Sequence, residues 1–322
     1  MSNTVDSAIT TATVKDAQDV FKDIGRSVIF AVLAFRRQDR DAELAAVRET
    51  FGRLPALVNS MNIRAAGSGL RTTIGLSNAA WDYLFPGADK PRELETFRGV
   101  TGDKNSMPSS DGDLFLHLRA DNEAVIYELM DQVRGFLGDS VTVVDETHGF
   151  RYFEGRAIIG FIDGTEAPAV KEAAGYAIVG DEDPGFVGGS YAFAQKWLHD
   201  MDQWKSLSTQ TQERMVGRQK FSDIELSDDH KDEHTHNNAS KVEIDGDEKK
   251  IVRMNVPFSN PAEQRSGTYF IGYARHWTVT RTMLTQMVER SDALLSFSTL
   301  LSGQVFFVPS WSLLDRMAQG EF

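Results

Sequence analysis

The alternation of apolar and polar stretches along the first half of the chain predicts strands and helices in a regular order. The apolar run Ser27–Phe35 indicates a buried strand. Between Asp41 and Met61, apolar residues recur every three or four positions, which is the spacing of an amphipathic helix. Two further apolar runs, Leu70–Leu76 and Asp113–Leu118, predict a second and a third strand.

A second helix and a fourth strand complete this half. Asp121 is a suitable N-cap residue, and apolar residues at helical spacing follow it at Val125, Leu129, Val133 and Phe136. Ser140–Val144 then predicts the fourth strand. The resulting order of strand, helix, strand, strand, helix and strand is that of a split βαβ, or ferredoxin-like, fold.

The second half shows a similar but less regular pattern. It predicts four strands and two helices, namely strands at Arg156–Ile162, Lys250–Asn255, Thr268–Tyr273 and Gln304–Val308, and helices near Gln195–Val216 and Thr280–Glu289. We therefore predict an α+β protein of two ferredoxin-like domains with antiparallel sheets. The expected domains are residues 1–150 and residues 151–322.

The composition excludes several classes of function. The chain has 322 residues and no cysteine, which excludes disulfides, thiolate nucleophiles and cysteine-ligated metal centres. Its net charge of −13 argues against general binding to nucleic acids or to anionic membranes. No stretch approaches the roughly 18 consecutive apolar residues that a membrane span needs. The polar N-terminus lacks the features of a secretory signal, so we expect a cytoplasmic protein.

Two short motifs place polar side chains at predicted strands. Asp163 ends the apolar run Arg156–Ile162 and precedes Gly164, so the backbone there can approach a ligand closely. A partly desolvated carboxylate at such a position can have a shifted pKa. Arg253 and Asn255 lie two residues apart on a predicted strand and therefore share one face. That face is either an exposed polar surface or the wall of a pocket.

The charged segment Leu226–Lys250 carries three histidines, His230, His234 and His236. Three interpretations compete for it. It is a solvated loop, or it is a zinc, manganese or iron site built from histidines and nearby carboxylates, or one histidine is the axial ligand of a haem. Without cysteine, a haem would need histidine or tyrosine as its ligand.

The segment Gly160–Pro168, with the sequence GFIDGTEAP, resembles the GxxDGTxxP signature of the dye-decolourising peroxidases, a family of haem enzymes. Ala167 departs from the asparagine that many relatives carry. The resemblance extends over most of the chain. It includes the polar run Thr235–Val242 and the Arg-x-Asn pattern of Arg253 and Asn255.

The resemblance implies one haem b per chain, bound in the second domain. The proximal iron ligand would be His236, with His234 as the alternative. The implied haem contacts also include Asp163, Gly164, Thr165 and Arg253, and the implied catalytic residues on the distal side are Asp163, Arg253 and Asn255.

The implied function is a peroxidase that uses hydrogen peroxide to oxidise aromatic dyes, phenols or similar one-electron donors. A homo-oligomer is also expected. Substrates too large for a buried haem would require electron transfer through the protein, for which the candidates are Trp81, Trp197, Trp204, Trp277, Trp311 and the seven tyrosines. Two alternatives stay open. One is a haem-binding or haem-processing protein with little peroxidase turnover, and the other is a non-haem metal-binding protein that uses His230, His234 and His236.

Overall fold

The computed structural model of the protein describes residues 9–21 and 23–322. In these residues the α-helices are α1 (Thr11–Asp16), α2 (Arg40–Arg64), α3 (Asn78–Leu84), α4 (Glu123–Leu137), α5 (Ala173–Ala177), α6 (Met201–Ser206), α7 (Thr209–Val216), α8 (His236–Ala239), α9 (Trp277–Glu289) and α10 (Trp311–Gln319). The strands are β1 (Ser27–Phe35), β2 (Arg71–Ser77), β3 (Val100–Thr101), β4 (Ser106–Met107), β5 (Leu114–Ala120), β6 (Val141–Phe150), β7 (Ser190–His199), β8 (Val242–Ile244), β9 (Asp247–Lys249), β10 (Val252–Asn260), β11 (Arg265–Ala274), β12 (Ser298–Leu300) and β13 (Gln304–Val308).

One large antiparallel sheet organises the described chain. Its strands follow the order β10-β11-β7-β13-β2-β5-β1-β6, and β12 pairs with β7 at one end. Each half of the sheet contains four long strands. Numbered in chain order within their half, these strands lie side by side in the order 2-3-1-4, which is the strand order of a ferredoxin-like sheet. The halves meet where Phe306 and Phe307 of β13 lie opposite Ser77 and Leu76 of β2. The α+β, ferredoxin-like prediction is therefore confirmed.

Both faces of the sheet are buried except at the edge strand β6, which explains why several of the inner strands are apolar throughout. Helices α2, α4, α9 and α10 cover one face with an apolar cluster. On the other face, residues from both halves pack together, including Phe30, Phe115, Tyr269 and Phe306. The sheet is curved so that its two edge strands, β6 and β10, approach each other. This is seen at Gly149 of β6, where an added Cβ atom would lie 2.5 Å from Cγ1 of Val256 on β10.

The elements of the first half match the predictions closely. Strand β1 has the predicted bounds, and α2 includes the whole of the predicted helix. The predicted cap of α4 is wrong by one residue, because the side chain of Asn122, and not that of Asp121, accepts the hydrogen bond from the Ala124 amide.

The prediction of a strand at Arg156–Ile162 is wrong. The segment forms a tight loop held by isolated bridges between Tyr152 and Arg156 and between Arg156 and Ile162. Gly160 has a φ of 93°, which a strand residue does not adopt. The segment is apolar for another reason, since Ile159 and Phe161 pack in a small separate cluster with Trp204.

The predicted helix near Gln195–Val216 is wrong over its first part. Residues Ser190–His199 form β7, and two short helices, α6 and α7, follow it. Strand β7 is the first strand of the second half and pairs with β11, β12 and β13. The polar residues Gln195 and His199 disguised it in the sequence, but both are buried in the structure. His199, which was expected on a helix, is therefore the last residue of a strand.

Candidate functional site

A single cavity brings together all the predicted site residues. It has a volume of about 990 Å³ including its mouth. Strands β7, β10 and β11 form one side of it, helices α8 and α9 form the other, and the loop around Asp163 closes one end. Its lining includes Asp163, Gly164, Thr165, His236, Arg253 and Asn255. Residues 92 positions apart, such as Asp163 and Asn255, thus become neighbours.

His236 enters the cavity from the helix side, as the first residue of α8. Its Nδ1 atom lies 2.7 Å from Oδ2 of Asp292, whose side chain has no exposed surface. Asp292 is fixed in turn, since its amide donates to Met287 O and its Oδ1 accepts from the Leu294 amide. The buried carboxylate orients the imidazole and leaves Nε2 as the ring nitrogen available to a ligand.

The other two histidines of the acidic loop lie elsewhere. His234 does not line the cavity, and its Nδ1 contacts the carbonyl oxygen of Arg290. His230 is largely exposed and contacts Ser227. Among residues 9–21 and 23–322, no group of three or more histidine, aspartate or glutamate side chains is arranged to hold a metal ion. The alternative of a shared metal site for His230, His234 and His236 therefore has no support in this geometry.

Asp163 is held by Asn255 on the sheet side. The Asn255 backbone amide donates to Oδ2 at 2.8 Å, and the Asn255 side-chain amide donates to Oδ1 at 2.5 Å. Burial raises the pKa of the Asp163 carboxyl above its usual 3.8, while these two hydrogen bonds and the positive charge of Arg253 oppose the rise. The carboxylate is thus both positioned and made more basic than a solvated aspartate.

Arg253 projects into the cavity from β10, the same strand that carries Asn255. Within the described chain its guanidinium forms no ion pair, and its recorded contact is with the Met283 sulfur at 3.8 Å. Burial lowers the pKa of the guanidinium, and the negative charges of Asp163, Glu166 and Asp292 oppose that change. An arginine stays protonated under these conditions, so the cavity contains a cation without a direct counter-ion.

The loop that presents Asp163 is braced from several sides. The Arg156 guanidinium donates to the carbonyl oxygens of Gly160 and Lys220. Gly164 has a φ of 82°, a conformation that favours glycine, and its carbonyl oxygen accepts from the Ala167 amide. A side chain at position 167 is not needed for that turn, since the bond is made by the backbone.

Several lining residues were missed by the sequence analysis. Three of them, Gln195, Trp197 and His199, line the cavity from β7, a segment for which the sequence pattern predicted a helix. His199 contacts Ser298 and Thr268, and burial lowers its pKa to about 4. The alternation of Gln195, Trp197 and His199 is a period-two signal that could have identified the strand. Asp292 carried no such signal, because its partner lies 56 residues away.

The arrangement supplies a ligand on one side of the cavity and acid–base groups on the other. His236 offers an oriented imidazole nitrogen, Asp163 a carboxylate that can exchange protons, and Arg253 a fixed positive charge. A positioned carboxylate and an adjacent cation suit a reaction in which a proton moves while negative charge develops on an oxygen.

Comparisons with known proteins identify the family. Two family models match, Dyp-type peroxidase, N-terminal, over residues 17–151, and Dyp-type peroxidase, C-terminal, over residues 154–313. A dye-decolorizing peroxidase of Mycobacterium tuberculosis is 41% identical over 84% of this chain and 83% of its own length, and one of Rhodococcus erythropolis is 41% identical over 84% and 81%. The crystal structure of a dye-decolorizing peroxidase from Bacteroides thetaiotaomicron has a TM-score of 0.89 at 41% identity and covers 94% of this chain and 98% of that one. A DypB variant from Rhodococcus jostii in complex with heme has a TM-score of 0.88 at 39% identity, covering 93% and 98%. The chain therefore belongs to the Dyp-type peroxidase family and is a haem peroxidase that acts on hydrogen peroxide.

Proposed function

We propose that this haem peroxidase binds its iron through His236 and activates peroxide with Asp163 and Arg253. The observation that carries the proposal is the pairing of His236 with the buried Asp292 on the wall of the cavity that Asp163 and Arg253 also line. A histidine that ligates a metal commonly gives its other ring N–H to a carboxylate, which fixes the ring and strengthens the ligand.

The residues of the cavity fit a haem. Apolar side chains that suit a macrocycle line both sides, including Phe270, Met283, Leu284, Met287 and Leu294. The cation of Arg253, which has no ion pair in the described chain, suits an anionic or electron-rich ligand.

Bound haem would supply the iron that takes up peroxide and stores its oxidising equivalents. Asp163 would accept the proton of the bound peroxide oxygen and return it to the departing oxygen. Such a positioned proton transfer typically contributes about 10²–10⁴-fold to a rate. Arg253 would stabilise the negative charge that develops as the oxygen–oxygen bond breaks. The resemblance places Asn255 among the catalytic residues, and its two bonds to Asp163 support a role for it in positioning that carboxylate.

The test is the visible spectrum of the protein purified from haem-supplemented cells, recorded before and after one equivalent of peroxide. We expect a Soret band that changes rapidly when peroxide is added. A stable Soret band that peroxide leaves unchanged would instead support a haem-binding or haem-processing protein. Reductants of the proposed class, aromatic dyes and phenols, would then be compared by their rates of turnover.

The matched variants come from one loop. His236→Ala should lose most haem, whereas His230→Ala should retain it, because His230 is exposed and contacts only its own segment. His234→Ala tests the alternative ligand and should also retain haem, since His234 lies outside the cavity lining. Haem loss in His234→Ala with retention in His236→Ala would contradict the assignment.

We also propose that the two domains are residues 1–150 and 151–322. The repeated strand order in each half of the sheet supports this division. The two family matches support it as well, since the N-terminal match ends at residue 151 and the C-terminal match begins at residue 154. A cytoplasmic homo-oligomer is a further proposal, which cell fractionation and light scattering would test. None of the described helices is long and apolar enough to cross a membrane.

A further inference from the structure

Two methionines of α9, Met283 and Met287, lie four residues apart and therefore share one face of the helix. Both side chains line the cavity that also contains His236 and Asp163. Met283 lines in addition a second cavity, whose walls are mostly charged and polar. The residues common to the two cavities are Glu166, Asn237, Arg253 and Met283. The Met283 side chain is therefore part of the wall between the two cavities, and a small molecule in either one can contact it.

The sulfur of Met283 contacts the cation of the candidate site. Nη1 of Arg253 lies 3.8 Å from the Met283 sulfur, and within the described chain the guanidinium forms no ion pair. A thioether sulfur is only a weak hydrogen-bond acceptor. Met283 therefore leaves the guanidinium available to a negative charge that develops in the cavity, which is what the proposed role of Arg253 requires.

Two other methionines provide comparisons. Met287 lines the first cavity but not the second. Met317, on α10, is fully buried and lines neither of them. Among the described residues, Met283 is the methionine that lines both cavities and contacts Arg253. Because an oxidant must reach a sulfur in order to oxidise it, this position makes Met283 the most accessible of the three sulfurs to peroxide in the site.

We propose that Met283 is an oxidation site through which excess peroxide slows this peroxidase, an inference that rests on the proposed function. A lone pair of the Met283 sulfur attacks one oxygen of hydrogen peroxide, so that a sulfur–oxygen bond forms and the oxygen–oxygen bond breaks. The sulfur is oxidised by two electrons to the sulfoxide, and the peroxide is reduced by two electrons. The departing oxygen takes the proton of the transferred oxygen and leaves as water. Arg253, which lies beside the sulfur, stabilises the negative charge on the departing oxygen.

The sulfoxide changes what Arg253 contacts. Oxidation converts the apolar side chain of Met283 into a polar one with a strong acceptor oxygen. A hydrogen bond that a charged guanidinium donates is about twice as strong as one between neutral groups. The sulfoxide oxygen therefore holds the Arg253 guanidinium and withdraws it from the next peroxide molecule. Removing one preorganised donor costs about 10²–10³-fold in rate, and because this donor is held and not removed, we expect the peroxide step to slow by at least about tenfold.

The first test is peptide mass mapping of the haem-loaded wild type after exposure to excess hydrogen peroxide without an aromatic reductant. Met283 should gain an oxygen before Met287 does, and Met317 should stay unmodified because it is fully buried and lines neither cavity. This readout does not depend on turnover. Oxidation of Met287 ahead of Met283, or an unmodified Met283 in protein whose peroxide step has slowed, would overturn the inference.

The matched variants are Met283→Leu and Met287→Leu, which make the same conservative change in volume on one helix face. Each haem-loaded protein is exposed to peroxide, and the rate of its peroxide step per intact haem is measured by stopped flow against its own untreated rate. The wild type and Met287→Leu should slow by at least about tenfold, whereas Met283→Leu should keep its untreated rate. Equal slowing in the three proteins would overturn the inference alone. An untreated wild type that does not react with peroxide would overturn the proposed function, and the inference with it.

Met283→Gln tests the effect on Arg253 without any oxidation. The glutamine side chain carries an amide oxygen that can accept a hydrogen bond from the guanidinium, as the sulfoxide oxygen does. Untreated Met283→Gln should therefore react with peroxide at least about tenfold more slowly than untreated Met283→Leu, a barrier difference of about 1.4 kcal/mol. The haem content of both variants is measured from the Soret band, so that a loss of haem is not counted as a slow reaction. Equal rates per haem would refute the effect of the sulfoxide on Arg253.

Discussion

Asp292 is the residue that holds the His236 side chain in position. Its Oδ2 lies 2.7 Å from His236 Nδ1, and its side chain is fully buried. Asp292→Asn keeps the shape of the side chain, and its Oδ1 can still accept from the Leu294 amide. The amide group that replaces Oδ2 cannot accept the Nδ1 proton. The imidazole would then lose its orienting partner and part of the electron density on Nε2.

The expected loss follows from the type of bond removed. A hydrogen bond to a charged group is worth about 1.5–3 kcal/mol. At 1.4 kcal/mol for each factor of ten, this predicts haem binding weaker by about 10- to 150-fold. Because the carboxylate favours the more positive ferric iron, the ferric–ferrous midpoint potential should also rise, by about 59 mV for each tenfold loss that is specific to the ferric state.

The assay is titration of the haem-free protein with haem, followed by the Soret band, together with a spectroelectrochemical titration of the loaded protein. A double-mutant cycle with His236→Ala isolates the pairwise contribution. If Asp292 acts through His236, Asp292→Asn should have little effect on haem affinity once His236 is absent. An equal loss in both backgrounds, or an unchanged affinity and potential in the single variant, would refute the reasoning.

Three further predictions concern acid–base behaviour and backbone geometry. Asp163→Asn should remove the acid limb from the pH profile of kcat/KM for peroxide, and that limb should lie above pH 3.8 in the wild type because burial raises the pKa of Asp163. His199 has a folded pKa of about 4 against an ordinary 6.5, so its contribution to stability is present above pH 6.5 and is lost as the pH falls toward 4. Denaturant titrations should show that, between pH 6.5 and pH 4, the free energy of unfolding falls by about 3 kcal/mol less in His199→Gln than in the wild type. An equal fall in the two proteins would contradict this prediction. Gly217→Ala should cost more stability than Gly246→Ala, because both glycines have a positive φ but only at Gly217 would the new Cβ collide with Asn237. The second variant should lose only the left-handed backbone cost of about 1–2 kcal/mol, and equal losses would refute the argument.

Local patterns were sufficient for much of the fold. The β1 and β13 strands have the bounds that their apolar runs predict. Helix α2 follows from its apolar spacing, with ends shifted by a few residues. The predictions failed where a local signal had another cause. Arg156–Ile162 is an apolar loop because its Ile159 and Phe161 pack against Trp204, and β7 carries polar residues because they line a buried cavity.

At the candidate site, too, local sequence patterns revealed some features and not others. The motif around Asp163 and the i, i+2 spacing of Arg253 and Asn255 can be recognised in the sequence because each lies within a few residues. The partner of His236 could not be chosen from the sequence. Many acidic residues follow it, and Asp292 is 56 positions away.

The sequence by itself therefore determined the types of most elements, the ferredoxin-like order and the residue types at the site. Periodicity and motif spacing are local, and they act through backbone propensity and the burial of one face. Only the tertiary structure decided which groups meet. The bonds of Asn255 to Asp163 and of Trp277 to Glu95 span 92 and 182 positions. Such contacts depend on how the curved sheet and its helices pack, and that packing is a property of the whole chain that no short segment contains.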